Sequence, residues 1–160
     1  MNAGHLPLRA EIVESKDPQI KLGRIIINAP TKMIFDILAN PKMHATIDGS
    51  NTVRSNFSGP ERLHFGATFG MRMFLKIPYP IKNTVVIFNE EGAIAWRHFH
   101  RHVWKFELRA LSPNQTEVIE TFDGRPALSQ RWLSYLGAYE KNQVAILKTL
   151  VRLKQVAESR

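Results

Sequence analysis

Thr116-Glu-Val-Ile-Glu120-Thr-Phe122-Asp123, then Gly124-Arg125-Pro126, then a helical apolar pattern from about Leu128 to Val156, is the stretch that decides the fold. Its first eight residues are rich in β-branched and aromatic side chains and read as a strand. Gly124-Arg125-Pro126 ends that strand. Beyond it Leu133, Leu136, Glu140, Val144, Leu147 and Val151 recur at +3 or +4, while Arg131, Lys141, Lys148 and Arg152 fall largely elsewhere. This spacing predicts one long amphipathic helix. Gly137 sits inside it at a cost of about 1 kcal/mol relative to Ala, which predicts a bend or the close approach of another backbone.

Upstream, residues 52–57, 62–75, 81–89, 93–99, 102–111 and 115–123 read as strands. Ser58-Gly-Pro60, Pro78-Tyr-Pro80, Glu90-Glu-Gly92 and Ser112-Pro-Asn114 punctuate them. Such short links imply an antiparallel meander, because parallel neighbours need crossovers of a dozen or more residues. In 103–108, Trp104, Phe106 and Leu108 alternate with Lys105, Glu107 and Arg109. An earlier strand spans 21–28. Ala29-Pro30-Thr31 opens a helix carrying Met33, Ile34, Ile37 and Leu38, and Asn40-Pro41 stops it. Residues 42–47 read as a second short helix, and Asp48-Gly49-Ser50-Asn51 as a turn. Residues 1–19 form an N-terminal extension in which 8–13 suggests a short strand and Asp17-Pro18 a turn.

The expected fold is α+β. An antiparallel sheet with one apolar face must cover it, and the C-terminal helix is the only element large enough. The sheet cups around that helix, with two short helices after the first strand, and the gap between them is a natural ligand site. With 160 residues, 44% of them hydrophobic and 22% charged, the chain reads as a single domain, 1–160.

Ile26-Ile27-Asn28-Ala29-Pro30-Thr31 through Ile34-Phe35-Asp36-Ile37-Leu38-Ala39-Asn40-Pro41 resembles the opening of the polyketide cyclase/dehydrase and lipid-transport group. That group belongs to the START-like (SRPBCC, helix-grip) superfamily. Ile94-Ala-Trp96-Arg97-His98 and Thr116–Asp123 are similar to it as well, and the likeness runs from about residue 20 to 155. It implies a hydrophobic cavity under the C-terminal helix. It leaves carrier and enzyme both open, because fold does not fix function.

The sequence has no cysteine, which excludes disulfides and thiolate chemistry. No signal peptide or uninterrupted apolar span is evident, so the default setting is cytoplasmic. The formal charge is +8, from 22 basic and 14 acidic residues, a field that attracts anions, nucleic acid and anionic lipid surfaces alike. The basic residues are scattered, which argues against a specific nucleic-acid footprint. The densest group, Lys148, Arg152, Lys154 and Arg160, reads as a solvated helix face. GxGxxG, P-loop, GxSxG, HExxH and CxxC patterns are absent, and no cofactor is expected.

Among residues able to carry chemistry, Glu120 shares parity with Val118 and Phe122. Facing inward it is a desolvated general base or ligand anchor; with the strand rolled the other way it is in water. His98, His100 and His102 alternate, but a turn expected near 99–101 points them apart, so no metal site is expected. They read as exposed or hairpin-tip histidines, with a single pocket histidine, His98, as the alternative. Asp48 is a turn former or a polar group at the cavity mouth. Arg72 faces solvent, or becomes an inward anion anchor if the strand parity is reversed. Met71, Met73, Trp96, Trp104, Phe106, Phe122, Trp132, Leu136 and Tyr139 are the expected apolar lining, with plain core as the alternative. All inward assignments share one register, since a one-residue slip turns every side chain to the other face.

Three functions follow. The first is a binder of a small hydrophobic ligand, lipid or polyketide-like, acting as monomer or homodimer. The second is a cyclase or dehydratase, which needs two titratable groups converging in the cavity. The third is a protein-interaction module whose cavity its own side chains fill.

Overall fold

The computed structural model describes residues 9–160; of the strand predicted at 8–13, Leu8 lies outside them, as do residues 1–7 of the predicted extension. Eight strands form one sheet: β1 (Glu11–Val13), β2 (Ile20–Ile27), β3 (Val53–Ser58), β4 (Thr68–Leu75), β5 (Ile77–Asn89), β6 (Ala93–Arg97), β7 (Val103–Ser112) and β8 (Gln115–Asp123). Four helices accompany them: α1 (Thr31–Leu38), α2 (His44–Ile47), α3 (Gln130–Tyr135) and α4 (Ala138–Glu158), with a 3-10 turn at Pro41–Met43. The spatial order is β1-β2-β8-β7-β6-β5-β4-β3, antiparallel throughout, and the sheet does not close. Strands β3 to β8 form the predicted meander. The fold is α+β with the helix-grip arrangement.

β8 pairs with β2 from Ile20 opposite Asp123 to Ile27 opposite Thr116. The helix α4 lies across these two strands and buries Ile146, Leu150, Leu153 and Ala157. Gly23 makes that approach possible: a Cβ there would stand 2.6 Å from Ile146 Cγ2. The other half of the concave face is covered by α1 and α2, where Phe35 meets Phe88 edge to face and His44 meets Phe69. Among the described residues no helix is long and apolar enough to cross a membrane.

Four details differ from the sequence expectation. The C-terminal helix is broken at Gly137, which takes left-handed φ 64° and separates α3 from α4. The break resets the helical phase, so a stripe extrapolated from Leu133 and Leu136 is misplaced. Val144 is 51% exposed and Glu140 is in solvent, while Tyr139, Ile146, Leu150 and Leu153 face the sheet. Secondly, Pro78 and Pro80 lie inside β5. They sit where β5 overhangs β6, so on one side no ladder bond is missed. Thirdly, residues 62–67 are not strand. Leu63 is buried there, and its N–H donates to Ala39 O at 2.7 Å, tying the segment to the end of α1. Fourthly, two of the four basic residues at the C-terminus serve the interior. The buried Lys154 donates to Ile26 O at 2.8 Å and to Glu158 at 2.5 Å, and Arg152 donates to Asp48 O and Asn51.

Two glycines carry a prediction. At Gly137 a methyl group meets only the end of Lys141, at 3.9 Å, so Gly137→Ala pays for backbone strain alone, about 1–2 kcal/mol. At Gly49 a Cβ would lie 2.5 Å from both Ala145 O and Thr149 N in the backbone of α4. Gly49→Ala is therefore expected to lower the urea midpoint more than Gly137→Ala does. Equal losses would contradict the direct seating of that turn on α4.

Candidate functional site

Glu120 lies in the middle of β8, on the concave face beneath α4. In the ladders it lies between Gly23 of β2 and Phe106 of β7, and it shares its face with Val118 and Phe122. It is only 3% exposed, and its Oε2 has no hydrogen-bond partner. Burial, assisted by the charge of Asp48, raises its pKa well above the ordinary carboxyl range. A buried polar atom without a partner costs about 1–3 kcal/mol, so an orphan carboxyl oxygen amid apolar groups calls for an explanation.

Asp48 is fully employed as a turn former. Its carboxylate accepts from the N–H groups of Ser50, Thr52 and Val53, at 2.9–3.1 Å, and from Ser50 Oγ. The turn is latched to α4, because Gly49 N–H donates to the buried Thr149 Oγ1 at 2.8 Å. This places Asp48 near Glu120 without leaving its own oxygens free for chemistry.

His44 was not among the residues singled out from sequence. It is buried on α2, donates from Nε2 to Leu38 O at 2.8 Å, and stacks on Trp96 with centroids 4.6 Å apart. Burial pushes its pKa down to about 4, so it is neutral. The available signal was its position three residues before Ile47, on one face of a short helix.

The three alternating histidines are brought together by the turn expected to separate them. Arg101 adopts φ 70° and its N–H donates to His98 O, folding the chain back. His98 and His102 then share a hydrogen bond between their Nε2 atoms at 2.9 Å. His100 Nε2 and His102 Nδ1 are buried without partners. Burial and mutual proximity push His98 to about 4 and His102 to about 3. Among the described residues no group of three histidine or acidic side chains has the geometry to hold a metal ion.

Of the expected lining, Met71, Phe106, Phe122 and Tyr139 are buried, and Met73, Trp96, Trp104 and His98 are partly so. The rings of Trp104 and Phe122 are 5.0 Å apart, and those of Phe122 and Tyr139 5.7 Å. Tyr139 also donates to Gln130 at 2.5 Å. Trp132 and Leu136 are corrections: Trp132 is 53% exposed and Leu136 is exposed too, because the turn at Gly137 carries α3 away from the interior phase of α4. Arg72 is exposed, with its guanidinium 5.8 Å from the Phe57 ring centre. Among the described residues, open grooves mark the surface away from Glu120 and α4. One of about 330 Å³ is lined by Phe57, Arg72, Met73, Pro78, Tyr79 and Pro80, and one of about 370 Å³ by Ser129, Arg131, Trp132 and Tyr135.

No family model matches the chain. It is 34% identical over 132 residues to the uncharacterized proteins Rv0088 and MT0096, from two strains of Mycobacterium tuberculosis. The match covers 79% of this chain and 59% of each relative, so the chain spans well under two thirds of their length. Among solved structures it is similar to protein Ms6760 from Mycobacterium smegmatis, with a TM-score of 0.68 at 10% identity over 94% of this chain and 98% of that one. Protein MLL2253 from Mesorhizobium loti gives 0.65 at 14% identity, over 88% and 97%. At such identities the likeness is one of fold.

The depressed histidines fix a pH dependence. A histidine whose pKa is lower folded than unfolded takes up protons on unfolding, so its contribution is complete above about pH 6.5 and is lost as pH falls toward 4. Urea midpoints should therefore fall through that window. His98→Asn with His102→Asn should make the fall shallower than in the wild type. An unchanged slope would mean that these imidazoles are not held neutral by the fold.

Proposed function

We propose that the protein binds a small, largely apolar molecule bearing a hydrogen-bonding group, between the sheet and α4, with Glu120 as its polar anchor. The observation that carries this reading is the unpartnered Oε2 of Glu120 on an otherwise apolar face. A neutral carboxyl offers both a donor and an acceptor, which suits a ligand hydroxyl, carbonyl or amide. Affinity comes mainly from apolar burial, at roughly 25 cal/mol per Å² removed from water. Phe106, Phe122, Met71 and Tyr139 are buried apolar groups of that interior, with Trp96, Trp104 and Met73 packed against them, and it is among these that the ligand would lodge.

The same proposal places the chain in the START-like superfamily, with the polyketide cyclase/dehydrase and lipid-transport group. The strand-to-helix opening at residues 26–41 and the helix-grip order of elements support it. A lipid or polyketide-like ligand is the class that fits such an interior, and a cysteine-free sequence agrees with a cytoplasmic setting. Binding is favoured over turnover because Asp48 is saturated by its own turn and His44 donates to backbone. That leaves Glu120 without a second free group beside it.

Native mass spectrometry of the purified protein, followed by denaturation and identification of what is released, tests this directly. The expected result is an apolar compound in stoichiometric amount. Glu120→Ala should weaken its rebinding by about tenfold, the loss of one buried hydrogen bond, while Glu120→Gln, which keeps a neutral donor and acceptor, should largely retain it. An empty protein that also fails to take up long-chain fatty acids would contradict the proposal. Turnover that Glu120→Gln abolishes would convert the anchor into a catalytic residue.

A further inference from the structure

Antiparallel alternation places the β4–β5 turn, the β6–β7 turn and the β8–α3 connection at one end of the sheet. Thr84, Arg97, Val103, Asp123 and Ile20 are linked by the register across β5, β6, β7, β8 and β2, so the seven residues from Ile77 to Asn83, with β4 and β3 alongside them, extend past the ends of β6, β7, β8 and β2. At about 3.3 Å per residue this is an arm of roughly 23 Å. Its tip exposes Phe74, Leu75 and Ile77 around Lys76. At the same end, the β6–β7 turn exposes Phe99, 75% accessible, and Leu128 N–H donates to His100 O, so that turn and the start of the α3 segment are joined. There Leu128 and Leu136 are exposed, and Trp132 stacks on Tyr135, which is 81% accessible, with centroids 6.0 Å apart.

Basic side chains stand among them. Arg125 is paired with Asp123, whereas among the described residues Lys76, Arg101 and Arg131 have no ion-pair partner within 4 Å. Glu14, Asp17 and Glu140 are opposing charges at this end.

We propose that this end of the protein docks on an anionic lipid surface, with the arm tip and the Trp132–Tyr135 pair entering the headgroup layer and Lys76, Arg101 and Arg131 meeting lipid phosphates. The apolar groups are spread over separate tips, and they are interleaved with cations. Trp and Tyr settle at the headgroup level, apolar insertion combined with basic residues is the composition of interfacial anchors, and each Lys or Arg near an anionic leaflet adds attraction. The +8 net charge acts in the same direction. The proposal is independent of whether the interior holds a ligand.

Flotation of the full chain with vesicles tests it, comparing phosphatidylcholine alone with phosphatidylcholine containing about a quarter phosphatidylglycerol. Partition onto the anionic vesicles should be about tenfold greater and should decline with added salt. Leu75→Ser with Ile77→Ser, both exposed and so harmless to the core, should remove most of it. Lys76→Glu should do the same. A blue shift of Trp fluorescence on binding should be lost in Trp132→Phe. Absence of binding, equal binding to both vesicles, or full binding by the double serine variant would overturn the proposal. So would a homodimer in sedimentation velocity that those serine substitutions dissolve, since the occupant would then be a second copy of the chain.

Discussion

Everything in this molecule depends on the antiparallel pairing of its first long strand with its last. Until β2 and β8 meet, the meander from β3 to β8 has a free edge at β8, and α4 has no complete surface to lie on. Gly23 turns that pairing into a seat: with no side chain there, Ile146, Leu150 and Leu147 of α4 come down onto the backbone of β2. The same residue faces Glu120 across the ladder. One close contact thus sets both the position of the helix and the depth at which the carboxyl is buried.

The interior built in this way holds more ionisable groups than a plain core would. His44 is held neutral by burial and donates to backbone, and Lys154 bridges Ile26 O and Glu158. These groups are satisfied and read as structural. Glu120 differs because its Oε2 is buried with no hydrogen-bond partner. The contrast with Asp48 sharpens the point. The two carboxyls are close enough to influence one another, yet one has its oxygens occupied by four donor groups and the other keeps an oxygen unmet. A molecule that retains such an atom on its buried apolar face is most simply explained by a partner that arrives from outside.

The sheet was largely legible because its information is local. The punctuating glycines and prolines, and the alternation of Trp104, Phe106 and Leu108, mark strands without reference to anything distant. The shared parity of Val118, Glu120 and Phe122 was legible too, but parity left the carboxyl inward or outward, and only its burial in the fold decides for inward. What escaped depended on backbone angles and on neighbours far along the chain. Arg101 in the left-handed region gathers three histidines that simple alternation and a turn seemed to disperse. Gly137 was visible as an anomaly, but only its left-handed φ reveals that α3 ends there and that the apolar stripe restarts one position over. Pro78 and Pro80 read as a turn because the overhang of β5, which tolerates them, is a property of the neighbouring strand. His44 escaped because a four-residue helix has no periodicity to display.

The central claim is that Glu120 is a protonated, unpartnered carboxyl beneath α4. The most direct measurement is a ¹³C NMR titration of the glutamate side-chain carboxyls, with the Glu120 resonance assigned by its loss in Glu120→Gln. The account predicts a resonance that stays at its protonated position through the ordinary carboxyl range, and that moves only well above it or when a ligand binds. A Glu120 signal that titrates within the ordinary carboxyl range would mean that the carboxyl reaches water, and the anchor in the apolar interior would be gone.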